Sequence, residues 1–161
     1  MFNLKAEFYL KIIFLFSFIA LISAFFIEYI LGHQPCNLCL IERIPYGLSI
    51  MIIMLIFLIK KNQKFLVLLL TLTFIFSFAV SFYHYGIEQS FFQESSVCGI
   101  KGLTESITKE DLLKQLSEKT ISCRDVTFRI FGLSLTSINI VISLLFIITL
   151  LKIFKKYAEN K

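Results

Sequence analysis

Four long apolar runs separated by polar breaks dominate the pattern of this chain. Ile12 to Leu31 is apolar apart from Glu28 and a few small polar residues, and 20 residues of helix rising about 1.5 Å each cover a hydrocarbon core of about 30 Å. The run exceeds a signal-peptide h-region and no small-residue cleavage site follows it, so an uncleaved first span is expected over 12–31. Gly32, His33, Gln34 and Pro35 then break the helix, because Gly favours a turn and Pro biases Gln34 away from helical conformation. A second span is expected over 41–59, with Pro45 tolerable only near its start. Lys60, Lys61, Asn62, Gln63 and Lys64 make a polar hairpin, and a third span returns over 65–84. Tyr83, His84 and Tyr85 close it with amphipathic rings suited to the headgroup region. The fourth span is expected over 130–151.

The segment 86–129 is the one long polar stretch, with six basic and seven acidic residues. Within it, Thr108 followed by Lys109, Glu110 and Asp111 reads as an N-cap with acids in the first turn. Leu112, Leu113 and Leu116 mark one face of a short amphipathic helix. Neither an internal repeat nor an interdomain linker interrupts the pattern. The expected fold is all-α, a single four-span membrane domain over 1–161 arranged as a four-helix bundle. Its two outer loops are 32–40 and 86–129, the second carrying the short helix.

Composition supports this picture: 57% of the 161 residues are hydrophobic and 19 are Phe, more than a soluble core of this size needs. The net charge of +5 could suggest nucleic acid, but the cations cluster beside apolar runs and form no aromatic-interleaved surface. Nine of the 16 Lys and Arg residues lie in the head, the 60–64 hairpin and the tail, against Glu7 and Glu159 as the only acids. The positive-inside rule makes that side cytoplasmic, termini included. Both remaining loops then face outward, and Cys36 and Cys39 share that side with Cys98 and Cys123. In a bacterium this is the periplasm, where disulfides persist.

Four cysteines permit three pairings, which the sequence leaves open. The spacing of Cys36 and Cys39 suits a small, redox-active disulfide ring. If the second helix starts near Leu38, its dipole favours a thiolate at Cys39, and Arg43 shares the face of Cys39 four residues on. A cation there stabilises the thiolate and can donate to a quinone carbonyl. The bland alternatives are a four-thiolate zinc site built with Cys98 and Cys123, purely structural disulfides, and Arg43 as an interfacial anchor. Cys98 and Cys123, if paired, are expected to form an exposed disulfide that a thiol of another protein can attack. Electrons would then pass from a soluble dithiol to Cys98 and Cys123, on to Cys36 and Cys39, and into a two-electron acceptor. With no haem-attachment signature and no dinucleotide fingerprint in the chain, a lipid-soluble quinone fits. On residue type alone, His84 reads as an interface residue, Glu28 as a headgroup-level acid, and Asn139 as an interhelical hydrogen-bonder.

Pro35-Cys36-Asn37-Leu38-Cys39 followed by Glu42-Arg43, four spans, and two further cysteines in the second outer loop resemble the DsbB family. Phe131-Gly132-Leu133-Ser134 adds to a resemblance that spans nearly the whole chain. It implies a bacterial inner-membrane enzyme that reoxidises a periplasmic DsbA-like, thioredoxin-fold partner and passes electrons to ubiquinone or menaquinone, a relay that keeps that compartment oxidising. Carried over by position, it implies that Cys98 forms the mixed disulfide with the partner and that Cys123 pairs transiently with Cys36. Cys39 then faces the quinone as a thiolate, Arg43 holds the quinone, and His84 matches a position near its ring. No metal ligand is implied, and a monomer is expected. The chain departs from relatives in having no Trp, with Phe128 standing near the expected place, which bears on the packing of the second loop. A vitamin K epoxide reductase-like or dedicated-partner thiol oxidase is the nearest alternative, and a membrane protein whose cysteines only bind metal or staple the fold is the alternative of a different class.

Overall fold

A computed structural model describes residues 4–59, 62–93, 98, 122–124, 129–130 and 132–159. Among them, four helical passes are long and apolar enough to cross a membrane: Ala6–Tyr29, Asn37–Leu58, Gln63–Glu88 and Leu135–Lys156. Helix α1 (Leu4–Tyr29) starts well before residue 12, because the polar head extends the helix and places Glu7 in its first turn, where an acid complements the dipole. Gly32, at φ 71°, turns the chain out of this pass.

The second pass is not one helix over 41–59. It consists of α2 (Asn37–Ile41) and α3 (Ile44–Leu58), with Glu42 and Arg43 in a turn between them. Pro45 explains the break: it offers no N–H to the carbonyl of Ile41, so α2 cannot run on, while α3 accepts Pro45 in its first turn. Helix α4 (Gln63–Glu88) begins after Asn62, which is left-handed at φ 62°, and runs a full turn beyond residue 84. His84 is therefore an internal residue of a helix rather than its headgroup end.

The fourth pass begins later than residue 130. Strands β1 (Arg129–Ile130) and β2 (Leu133–Ser134) pair antiparallel, Arg129 opposite Ser134 and Ile130 opposite Leu133, around Gly132 at φ 82°. Helix α5 (Leu135–Glu159) follows, and Ser134 caps it, its Oγ accepting the Ser137 N–H at 3.2 Å. The short amphipathic helix expected at Thr108 to Leu116 lies outside the described residues, as does Phe128.

Helix α4 is the centre of the packing: α3 and α5 lie against it, and α1 lies against α3. At one end Leu10, Ile13, Ile53, Leu70, Phe74 and Leu150 close a fully apolar core. Outward faces carry exposed Leu15, Phe18, Ile22, Phe76 and Val141, as lipid contact requires. Small hydroxyls join the passes where they approach closely, Ser49 donating to Ser17 at 2.8 Å and Ser143 to Ser77 at 3.1 Å. Near the other end of α4, a methyl group added at Gly86 would overlap the Phe92 ring, which stacks on Tyr83 at 5.8 Å between centroids. Gly86→Ala is expected to push Phe92 off Tyr83 and cost about 1–3 kcal/mol through overpacking. Thermal unfolding in detergent checks this, and an unchanged midpoint would mean that Phe92 gives way freely.

Candidate functional site

The polar end of the bundle gathers all six residues singled out in the sequence. Cys36 is the N-cap of α2, with extended backbone, and its Sγ accepts the Cys39 N–H at 3.3 Å. The two sulfurs, both free thiols, stand 2.8 Å apart. The helix start thus favours negative charge on Cys36 and not on Cys39, a correction to the expectation that the dipole serves Cys39. The Cys39 thiol, and after it His84, hold the Cys36 thiol down to about 4, against the opposing effect of burial. A lowered thiol pKa means that the thiolate persists above that pH and is lost below it. Ultraviolet thiolate absorbance of the reduced protein is therefore expected to survive mild acidification and to fade as pH falls through about 4. Cys39→Ala should move that transition up toward the ordinary thiol range, and an unmoved transition would contradict this cause.

His84 is 2% exposed, and its Nε2 lies 3.6 Å from Cys36 Sγ. Its Nδ1 lies 2.9 Å from Glu42 Oε1 and 3.3 Å from Thr136 Oγ1. Thr136 donates to Glu88 Oε1 at 2.8 Å, and that oxygen stands 4.0 Å from His84 Nε2. Glu42 also accepts from Asn139 Nδ2 at 3.3 Å, and the same amide donates to Ser81 Oγ at 2.7 Å. Tyr46 donates to Asn139 Oδ1. Asn139 bonds between helices, and among the described residues Glu88 Oε2 is the buried side-chain oxygen without a hydrogen-bond partner.

Arg43 does not share a helix face with Cys39, because the turn at Glu42 and Arg43 breaks the register. It pairs with Glu28 of α1, and its guanidinium lies 5.3 Å from the Phe25 ring centroid. Glu28, expected among headgroups, is thus partly buried as the counter-ion of Arg43. Both Cys39 and Arg43 reach a cavity of about 260 Å³ between α1, the start of the second pass and α5. Phe16, Leu21 and Ile142 form its apolar wall, and Glu42 and Asn139 add polar groups. A flat, apolar ring bearing carbonyl oxygens matches that lining.

Cys98 and Cys123 form a disulfide with Cα atoms 5.4 Å apart. It is not exposed: the two residues are 3% and 2% accessible and pack with Cys36, Leu38 and Ile87 in one cluster. Beside it, Arg124 donates to Ser90 Oγ, Nε at 3.1 Å, tying this corner of the loop to the end of α4. A four-thiolate zinc site is not formed, since Cys98 and Cys123 are bonded to each other. Among the described residues, Cys36, Cys39 and His84 bring possible metal ligand atoms within 4.8 Å. Two thiolates on one tetrahedral zinc sit roughly 3.8 Å apart for a Zn–S distance of about 2.3 Å. The closer approach of these sulfurs suits disulfide closure.

The sequence model of disulfide bond formation protein DsbB matches residues 6–153, covering nearly all of the four passes. The chain belongs to the DsbB family. The uncharacterized protein RP370 of Rickettsia prowazekii (strain Madrid E) is 31% identical over 147 residues, 90% of this chain and 86% of that relative. No solved structure matches the chain. As a DsbB-family member the protein is a multi-pass membrane disulfide oxidoreductase. Sequence reading missed Glu42, Glu88 and Thr136 as parts of this DsbB-family site. The signal for Glu42 was present: an acid at the start of a membrane pass, three residues after a cysteine pair, needs a partner at that depth.

Proposed function

We propose that this DsbB-family protein is a quinone-linked thiol oxidase of the bacterial inner membrane, with both termini cytoplasmic and both loops periplasmic. It takes electrons from a soluble thioredoxin-fold dithiol protein of the DsbA type. The observation that carries the reading is the placement of Cys36 between two partners: the Cys98–Cys123 disulfide packs on it from one side, and Cys39, 2.8 Å away, opens on the cavity.

Thiol exchange across that arrangement balances as follows. A partner thiolate attacks Cys98, forming a mixed disulfide and releasing Cys123 as a thiolate. Cys123 attacks Cys36 of a Cys36–Cys39 disulfide, and Cys39 leaves as a thiolate facing the cavity. The partner's second thiol closes its own disulfide and frees Cys98, which then reclaims Cys123 and releases Cys36. Cys36 and Cys39 end as a dithiol holding two electrons and two protons, and a quinone held in the cavity would supply the two-electron, two-proton acceptor. Arg43 lines the cavity and would hold a quinone carbonyl, with the apolar wall holding its ring.

The test is quinone reduction driven by a reduced periplasmic dithiol protein, comparing the wild type with Cys98→Ser. Loss of turnover in Cys98→Ser with full turnover in the wild type is expected. Stoichiometric zinc in the purified protein, with no quinone reduction, would instead favour a metal-binding role.

A further inference from the structure

The geometry points to a proton relay from Cys36 through His84 to Glu42, which delivers the Cys36 proton into the cavity that Cys39 faces. This deepens the quinone reading and rests on it for its acceptor. Oxidising the dithiol forms the Cys36–Cys39 bond, breaks two S–H bonds and moves two electrons to the acceptor in the cavity. Two protons must travel as well. Cys39 lines the cavity and has a direct route, whereas Cys36 is 6% exposed and packed beneath the second disulfide. Its proton needs a carrier.

His84 is that carrier by position. Nε2 faces Cys36 Sγ at 3.6 Å, and Nδ1 faces Glu42 Oε1 at 2.9 Å, so the ring bridges a thiol and a carboxylate from opposite edges. A carboxylate only accepts, which places a hydrogen on Nδ1 and leaves Nε2 to take the Cys36 proton. While Cys36 is a thiolate, the proton rests on His84. When Cys36 forms its disulfide the negative charge beside Nε2 disappears, and the ring hands the Nδ1 proton to Glu42. Glu42 lines the cavity and completes the transfer.

Two carboxylates and two cysteines surround this ring, and geometry separates the carboxylates. Glu88 comes from α4 itself, stands 4.0 Å from Nε2, and accepts the Thr136 hydroxyl from α5. Glu42, from the turn of the second pass, is within hydrogen-bonding distance and is held by Asn139 of α5. Arg43, the nearest cation in sequence, is paired with Glu28. Glu42 is thus the outlet.

The chain has two histidines, His33 and His84, so nitrogen-labelled histidine NMR reads the relay directly in full-length, quinone-free protein. At neutral pH, His84 is expected to carry protons on both nitrogens in the dithiol form and on one nitrogen alone in the Cys36–Cys39 disulfide form. His84→Gln assigns the signals, and the wild-type comparison stands without any variant. Identical protonation of His84 in both redox states would overturn the relay. As a second arm, His84→Ala should slow single-turnover reduction of a short-chain quinone by roughly a hundredfold, the scale of a lost acid-base group, with partial rescue by added imidazole. An unchanged rate in that variant would also overturn it. A wild type that reduces no quinone would instead sink the acceptor reading and leave the NMR result to decide the relay.

Discussion

Cys39→Ser is expected to abolish electron delivery to quinone, lowering the rate by at least about a thousandfold, the scale of removing a reacting group. Of the four cysteines, Cys39 alone lies in the cavity wall. When Cys36 is bonded to Cys123, Cys39 is the sulfur left to face the acceptor, and a serine hydroxyl can neither form the disulfide nor hold the electrons. The same substitution should leave Cys36 free to be captured by Cys123, because those two residues pack in one cluster. The Cys36 thiolate should attack Cys123 of the Cys98–Cys123 disulfide with Cys98 as the leaving thiolate, so the variant should hold a Cys36–Cys123 disulfide beside a Cys98 thiol, visible by peptide mapping under non-reducing conditions. Residual turnover near the wild-type rate would mean that another group faces the acceptor.

Arg43→Ala should act on affinity. A charge-assisted hydrogen bond to a quinone carbonyl is worth about 1.5–3 kcal/mol, so its loss should raise the apparent quinone requirement by roughly ten- to a hundredfold. The maximal rate should change less. Stability should fall modestly, because the substitution strands Glu28, which is partly exposed, and removes the contact with Phe25. Glu28 holds the guanidinium through Nη1, and Arg43 also lines the cavity. Titrating quinone against both proteins separates the effects, and an unchanged quinone dependence would remove Arg43 from the quinone site.

The fold was legible because membrane passes announce themselves through long apolar runs, and the cysteine motif through its spacing. Helix ends were less so. Residues such as Glu7 are as compatible with a helix as with a headgroup-level tail, so α1 starts earlier than hydropathy suggests. The break at Glu42 and Arg43 follows from Pro45, whose missing N–H was visible in the sequence, but its consequence depends on which helix Pro45 joins. The interior of the site was the least legible. Residues 42 apart in the chain bring His84 and Glu42 together, and no local pattern encodes a contact that only the docking of α4 against the second pass creates. Burial of the Cys98–Cys123 disulfide has the same origin, since it depends on Leu38 and Ile87 from two other elements. The packing of Cys36 with Cys98 and Cys123 in one cluster likewise required tertiary structure.

Electron bookkeeping tests the central claim most directly. Full-length protein reconstituted with a known amount of quinone is mixed with a reduced periplasmic dithiol protein, and oxidised partner and reduced quinone are counted in one burst. One quinone reduced for each partner disulfide formed is the predicted result, with Cys98→Ser forming no partner disulfide and Cys39→Ser reducing no quinone. Partner oxidation that leaves the quinone pool untouched would contradict the account.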